Sequence, residues 1–299
     1  MCTKRFALLL IALMVSFAAF SQDDLENMLL GEMGEPIDYT IGTFLSPHIL
    51  NNHSSELIGK NGISFRVAHK FGKINSGPSH FYGFDDSNSF LEADYAIADW
   101  WNIGIGRATL DEQVAGYTKF RLLRQSTGAR VMPVSLSLIA NAEYATQNFD
   151  NEERNKNKED RLIYSSQLLI SRKFSNILSV QVMPTFIHRN LVATKSDKND
   201  VAALGLGASC KVYSNFRVNA EYFFVQEHNT PSVEYFNPLS LGLCYQTSRH
   251  AFEVYVTNAQ GITDNSYIAN TTNDFFKGDV RIGFNVSTVF TLGRKTAAN

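Results

Sequence analysis

Between residues 62 and 292 apolar and polar side chains alternate in segment after segment, as expected of strands with one face in an apolar phase and the other in a polar one. The stretch Asp279 to Leu292 shows it best. Val280, Ile282, Phe284, Val286 and Phe290 share one parity, and Arg281, Gly283, Asn285, Ser287 and Thr291 share the other. Upstream, Ile63, Phe65 and Val67 alternate with Ser64, Arg66 and Ala68, and Leu91, Ala93, Tyr95 and Ile97 with Glu92, Asp94 and Ala96. Ile103 and Ile105 alternate with Asn102, Gly104 and Gly106. Further strands are predicted at Gly116 to Leu123, Val134 to Tyr144, Leu162 to Ile170, Leu178 to His188, Ala202 to Val212, Phe216 to Phe224, Leu239 to Tyr245 and Phe252 to Val256. Several approach the about ten residues that a tilted membrane strand needs, longer than the strands of soluble sandwiches.

The connections alternate in length. Long ones fall at Gly72 to Ser87, Asn148 to Asp160, Asn190 to Asn199, Glu227 to Phe236 and Asn258 to Gly278; short ones at Asp99-Trp100, Ser175-Asn176, Ser214-Asn215 and Thr247 to Arg249. Outer-membrane barrels combine long external loops with short periplasmic turns. The predicted fold is therefore all-β: a transmembrane antiparallel up-and-down β-barrel of about 12 strands, outer-membrane type. Two connections fit less well, a short one at Asp111 to Gln113 and a long one at Gln125 to Met132, and either would mark a miscounted strand. Trp100, Trp101, Phe174, Tyr213 and Phe216 gather at the short-turn end, where an interfacial aromatic girdle belongs.

The remaining segments divide the chain. Lys4 and Arg5, the apolar run from Phe6 to Phe20 and the small residues before Gln22 predict a signal peptide over residues 1–21, with a mature chain from near Gln22. Residues 22–61 form an N-terminal periplasmic or mouth segment, with a short helical turn at Leu25 to Met33, a possible extra strand at Tyr39 to Phe44 and an irregular Asn-, Ser- and His-rich stretch from His48 to Lys60. That stretch is expected at the barrel mouth or partly inside. The barrel occupies 62–292, and 293–299 are a C-terminal tail.

Composition removes several functions. With 27 Lys+Arg against 29 Asp+Glu, the chain lacks the basic excess of a nucleic-acid binder. Cys210 and Cys244 fall on non-neighbouring strands with opposite facing, which argues against a disulfide. No nucleophile elbow, zincin or phosphate-loop motif is present, and the seven histidines look scattered. The reading assigns no catalytic residue, no metal ligand and no cofactor. A barrel lipid enzyme would need His69 or His188 beside a serine at the membrane rim, and both read better as interfacial polar residues. Asp85-Asp86 with His80 reads as a solvated turn before a cation site, and Asp150 to Asp160 as an exposed mixed-charge loop.

Taken in order, G-I-S-F-R-V-A-H-K-F-G from Gly62, A-D-Y-A-I around Tyr95, G-I-G-R at Gly104, Y-T-K-F-R-L-L-R-Q at Tyr117, Q-L-L-I-S-R-K-F-S at Gln167, N-A-E-Y at Asn219 and the closing G-D-V-R-I-G-F-N-V-S-T-V-F resemble a family of bacterial membrane-bound β-barrels, domain of unknown function 5777. The resemblance spans nearly the whole mature chain. It implies a fold and a membrane location, and brings no activity or site residues with it.

By parity the lumen receives Arg66, Lys70, Lys119, Arg121, Lys211, Arg217 and Arg281, with Glu92, Asp94, Glu143, Glu221 and Glu253. Two arrangements are open: a charged wall that selects solutes, or ion pairs that fill the interior. Twelve strands lie between the filled eight-stranded barrel and the sixteen-stranded channel. The leading function is passive or partner-assisted passage of small polar solutes across the bacterial outer membrane, with its lipid around the barrel. The alternative is a closed barrel that docks envelope proteins or serves as structure.

Overall fold

The computed structural model describes residues 36–146, 157–192, 197–226, 229 and 233–292. The signal peptide, the helical turn at Leu25 to Met33, most of the mixed-charge loop and the tail lie outside the described residues. Twelve antiparallel strands form a closed barrel: β1 Gly62–Lys73, β2 Ser87–Ala98, β3 Trp101–Ala108, β4 Gln113–Leu123, β5 Ser135–Ala145, β6 Leu162–Lys173, β7 Leu178–Arg189, β8 Asp200–Tyr213, β9 Phe216–Val225, β10 Leu239–Gln246, β11 His250–Thr257 and β12 Arg281–Thr291. Each pairs with its neighbour in sequence, and β12 closes on β1 through Val286 opposite Val67 and Thr291 opposite Gly62. No helix among the described residues is long and apolar enough to cross a membrane. The strands are the elements that can.

Burial follows the alternation. In β12, Arg281, Gly283, Asn285 and Ser287 are buried while the apolar residues between them are partly exposed on the outer face. Val254 and Leu243 stand 58% and 59% exposed at mid-strand, which places apolar side chains where lipid would be. At the short-turn end Trp100, Trp101 and Phe120 stack with centroids 5.7–6.3 Å apart. Phe216 packs against Tyr245 at 4.7 Å; Tyr213, at the same turn as Phe216, and Phe174, at the turn between β6 and β7, are exposed.

The two ill-fitting connections hide no barrel strand. Asp111 and Glu112 both take left-handed backbone, with φ of 53° and 46°, which allows a tight reversal at the long-loop end. The longer one carries the short strand Ser126–Gly128, paired with Ile37–Tyr39 in a separate two-stranded ladder. The extra strand expected at Tyr39 to Phe44 is thus displaced: it ends at Tyr39, and Gly42, at φ 63°, turns the chain out of extended geometry. Cys210 is half-buried and Cys244 buried on β8 and β10, which are separated by β9; both are free.

Substituting Leu243 by Lys puts a charge on the outer face at mid-strand, where such changes cost about 2–4 kcal/mol. Denaturant titration of the barrel folded into lipid vesicles should read that loss.

Candidate functional site: the filled lumen

The interior is occupied by two inserted segments. The first enters from the short-turn end, where Asp99 accepts from the Lys60 amide at 2.9 Å and Gln246 donates to the Leu45 carbonyl at 2.8 Å. It forms a hairpin: Ser54 N–H donates to the Pro47 carbonyl at 2.8 Å and Ile49 N–H to that of Asn52 at 2.9 Å. Phe44, Ile49, Leu50, Asn52, Ser54 and Ser55 are at most 3% exposed. Such burial needs partners for every backbone group, and the inward-facing polar residues of the wall supply them.

Glu221 on β9 is the main acceptor. Its carboxylate receives three successive amides at the tip, Leu50 at 3.1 Å, Asn51 at 3.0 Å and Asn52 at 3.1 Å, and the Asn51 side chain at 3.2 Å. Carbonyls are met in turn: Arg66 and Asn285 donate to Leu50 at 2.8 and 2.6 Å, and Asn219 to Ile49 at 2.9 Å. Gln181 both accepts from the Ser55 amide at 2.7 Å and donates to the His53 carbonyl at 2.8 Å. Lys119 Nζ reaches the Glu56 carbonyl at 2.6 Å, and Arg121 pairs with the Glu56 carboxylate at 3.7 Å.

The second segment is the connection between β11 and β12, which folds in from the long-loop end. A single π turn, Asn265–Ala269, is entirely buried. Tyr267, Ile268, Ala269 and Ala259 pack on Ile139, Leu169, Met183, Ile187, Val201 and Phe223 of the wall. Lys70 donates to the Gly261 carbonyl and lies 4.8 Å over the Tyr267 ring. Glu143 accepts from the Asn265 amide at 3.1 Å, and Asp264 accepts from Ser165 at 2.6 Å. The two inserts meet at Ser240, which contacts Asn51 and the Tyr267 hydroxyl, each at 2.9 Å.

Of the residues predicted for the lumen, Arg66, Lys70, Glu92, Asp94, Lys119, Glu143, Arg217, Glu221, Glu253 and Arg281 are all buried, and Arg121 is half-buried near the short-turn end. Lys211 departs from the prediction. It follows the buried Ser209 in parity, but sits where β8 runs past the interior into its turn, and is exposed. The lumen charges spend themselves mainly on the backbone of the inserts: between wall residues, the ion pair among the described lumen side chains is Arg66 with Glu92, at 3.3 Å. Asp94 accepts from the Tyr117 hydroxyl at 2.7 Å, Glu253 from Asn285 at 2.6 Å, and Arg281 donates to the Phe71 carbonyl at 3.3 Å. The space among the described residues includes a central cavity of about 30 Å³ and one of about 210 Å³ at the long-loop end, lined by Lys70, Asp86 and Arg281 among others.

Five of the seven histidines fall into two groups. His69, His188 and His250 face outward, each bonded to its direct cross-strand partner: Ser89 at 2.8 Å, Asp200 at 2.6 Å and Thr288 at 2.6 Å. Register alone accounts for these contacts, including the Ser–His pair. His48 and His53 overturn the expectation of scattered histidines, because the hairpin sets them opposite each other with ring centroids 4.3 Å apart. His80, Asp85 and Asp86 form no metal-sized cluster among the described residues.

The sequence model of the membrane-bound β-barrel domain DUF5777 matches residues 44–290, from the hairpin to the closing strand. The chain belongs to this family. Solved structures similar to this member include the KdgM porin, at 11% identity over 77% of this chain and 99% of that one with a TM-score of 0.46. The Acinetobacter baumannii outer membrane protein Omp33 is 10% identical over 77% and 99%, with a TM-score of 0.41. The CymD monoaromatic hydrocarbon channel is 9% identical over 79% and 90%, with a TM-score of 0.36. None of the curated proteins matches the chain.

Removing the Glu221 acceptor leaves three buried amides unpaired, at about 1–3 kcal/mol each. In Glu221→Ala, hydrogen exchange at Leu50, Asn51 and Asn52 should rise by about tenfold or more. Glu221→Gln, which keeps one acceptor oxygen, should raise it less.

Proposed function

We propose that this chain is a bacterial outer-membrane barrel, closed at rest, that passes small polar solutes when its N-terminal hairpin is withdrawn, spontaneously or by an envelope partner acting from the short-turn side. The observation that carries the reading is the difference between the two inserts. The hairpin tip buries two apolar side chains, Ile49 and Leu50, and is otherwise held by wall side chains bonded to its backbone, with Glu221 accepting from three amides. Bonds of this kind exchange for bonds to water at a small net change each. The π-turn insert is held by an apolar cluster, whose exposure water does not compensate. One insert is suited to leave and the other to stay, as a fixed constriction that would set the size of what passes.

A second reading, a permanently closed barrel with a structural or docking role, draws on the same filling: the central cavity is only about 30 Å³. Polar contacts that seal the resting state also serve a barrel that never opens.

Planar-bilayer conductance separates them. The unmodified chain should be silent or open only briefly, Glu221→Ala should open more often, and a refolded chain beginning at Gly59 should give stable steps. Silence from the shortened chain, with insertion verified by protease protection, would defeat the passage reading and leave the closed barrel.

A further inference from the structure

His48 and His53 flank the four-residue tip of the hairpin, and antiparallel pairing of these two residues sets both rings on one side. Both are buried, at 4% and 8% exposure, and they face Glu92 on β2, whose Oε2 lies 3.5 Å from His48 Nε2. One donor atom from each of the three lies within 4.8 Å of the others. Tetrahedral nitrogen and oxygen ligands about 2.1 Å from a zinc ion stand roughly 3.4 Å apart. The His48–Glu92 separation of 3.5 Å already matches that spacing.

The surroundings ask for a ligand. The same three residues line the central cavity of about 30 Å³, together with Asn51, Asn141 and Asp264. Three of these lining residues carry a buried polar atom without a hydrogen-bond partner: His53 Nδ1, Asn51 Oδ1 and Asn141 Oδ1. All three are electron-pair donors in the tautomer that leaves Nδ1 unprotonated. Arg66, 3.3 Å from the Glu92 oxygen, opposes a cation locally, so the case for an ion rests on the three donor atoms and the unpartnered electron-pair donors around them.

We propose that His48, His53 and Glu92 bind one divalent transition-metal ion between the hairpin and the barrel wall, with the Asn51 side-chain oxygen or a water completing a four-coordinate set. Two imidazoles and a carboxylate suit zinc and its first-row neighbours better than calcium or magnesium. Two ligands come from the hairpin and one from the wall, so the ion ties them together. The site belongs to the seated state whether or not the hairpin ever leaves, and stands apart from the passage reading.

The test uses the full refolded chain, stripped with chelator, loaded with zinc and dialysed, with metal content measured by mass spectrometry. The expected result is about one zinc per folded chain. His53→Gln and Glu92→Gln should lower affinity by about tenfold or more, while His188→Gln, on the outer face, should retain the metal. Folding of each variant is read from heat-dependent gel migration. Less than about a tenth of an equivalent in the unmodified barrel, or undiminished zinc in folded His53→Gln, would mean that water and the ion pair alone fill the cavity and would overturn the site. Should His53→Gln fail to fold, the unmodified chain loaded with cobalt decides: visible bands of nitrogen and oxygen ligation sustain the assignment, and a spectrum unchanged from aqueous cobalt refutes it.

Discussion

In lipid a backbone amide has no water to bond, so a spanning sheet must leave no edge. Here the ladder is closed by β12 on β1, and most of the architecture follows from that closure. It brings residues 62 and 291 together at one end of the barrel, so the segment before Gly62 starts from the rim of the short-turn end. It also fixes the interior width. Strand side chains alone fill an eight-stranded barrel; twelve strands leave room that the chain fills with its own backbone. Every polar group carried in that way needs a partner, and the alternation that puts apolar residues on the lipid face puts the partners inside.

The two inserts satisfy this requirement by different chemistry. Around the hairpin the wall is Arg66, Lys119, Gln181, Asn219, Glu221 and Asn285, each bonded to a main-chain group. Around the π turn it is Ile139, Leu169, Met183, Ile187 and Phe223, and the insert answers with Tyr267 and Ile268. The lumen is therefore not uniformly polar. One sector resembles the core of a soluble protein, and the remainder a network of polar bonds with a small central void.

The strands were legible because lipid and lumen impose opposite chemistries on successive residues, and a period of two survives in any register. Ten of the predicted lumen charges lie buried where parity puts them. Lys211 does not, because parity says which way a side chain points and not whether the interior extends that far. The apolar sector was missed for a related reason: Ile139 on β5 takes an inward position between Ser137 and Asn141, and Phe223 on β9 the one after Glu221, each with apolar outward neighbours, which blurs the alternation. The hairpin carried no strong turn signal, since His48 to His53 reads H-I-L-N-N-H without glycine or proline. Its histidines meet only through pairing that the barrel wall stabilises. A composition rich in Asn, Ser and His looks like an exposed loop; here those side chains sit in a polar interior instead.

The wall carries a further mark of the hairpin. Glycine inside a strand forgoes packing and costs backbone entropy, on the order of 0.5–1 kcal/mol relative to alanine. Gly207 on β8 and Gly242 on β10 both stand next to the hairpin tip. A Cβ at Gly207 would come within 2.4 Å of Ile49 Cδ1, and one at Gly242 within 2.9 Å of Leu50 Cδ2 and 2.6 Å of Tyr255 Cβ. The two apolar side chains of the tip thus enter hollows that any larger residue would narrow, while Glu221 between them, on β9, takes the amides. Shape and hydrogen bonding converge on the same three neighbouring strands. A wall with these hollows fits the inserted hairpin specifically, which makes the seated state the one the barrel's own surface encodes.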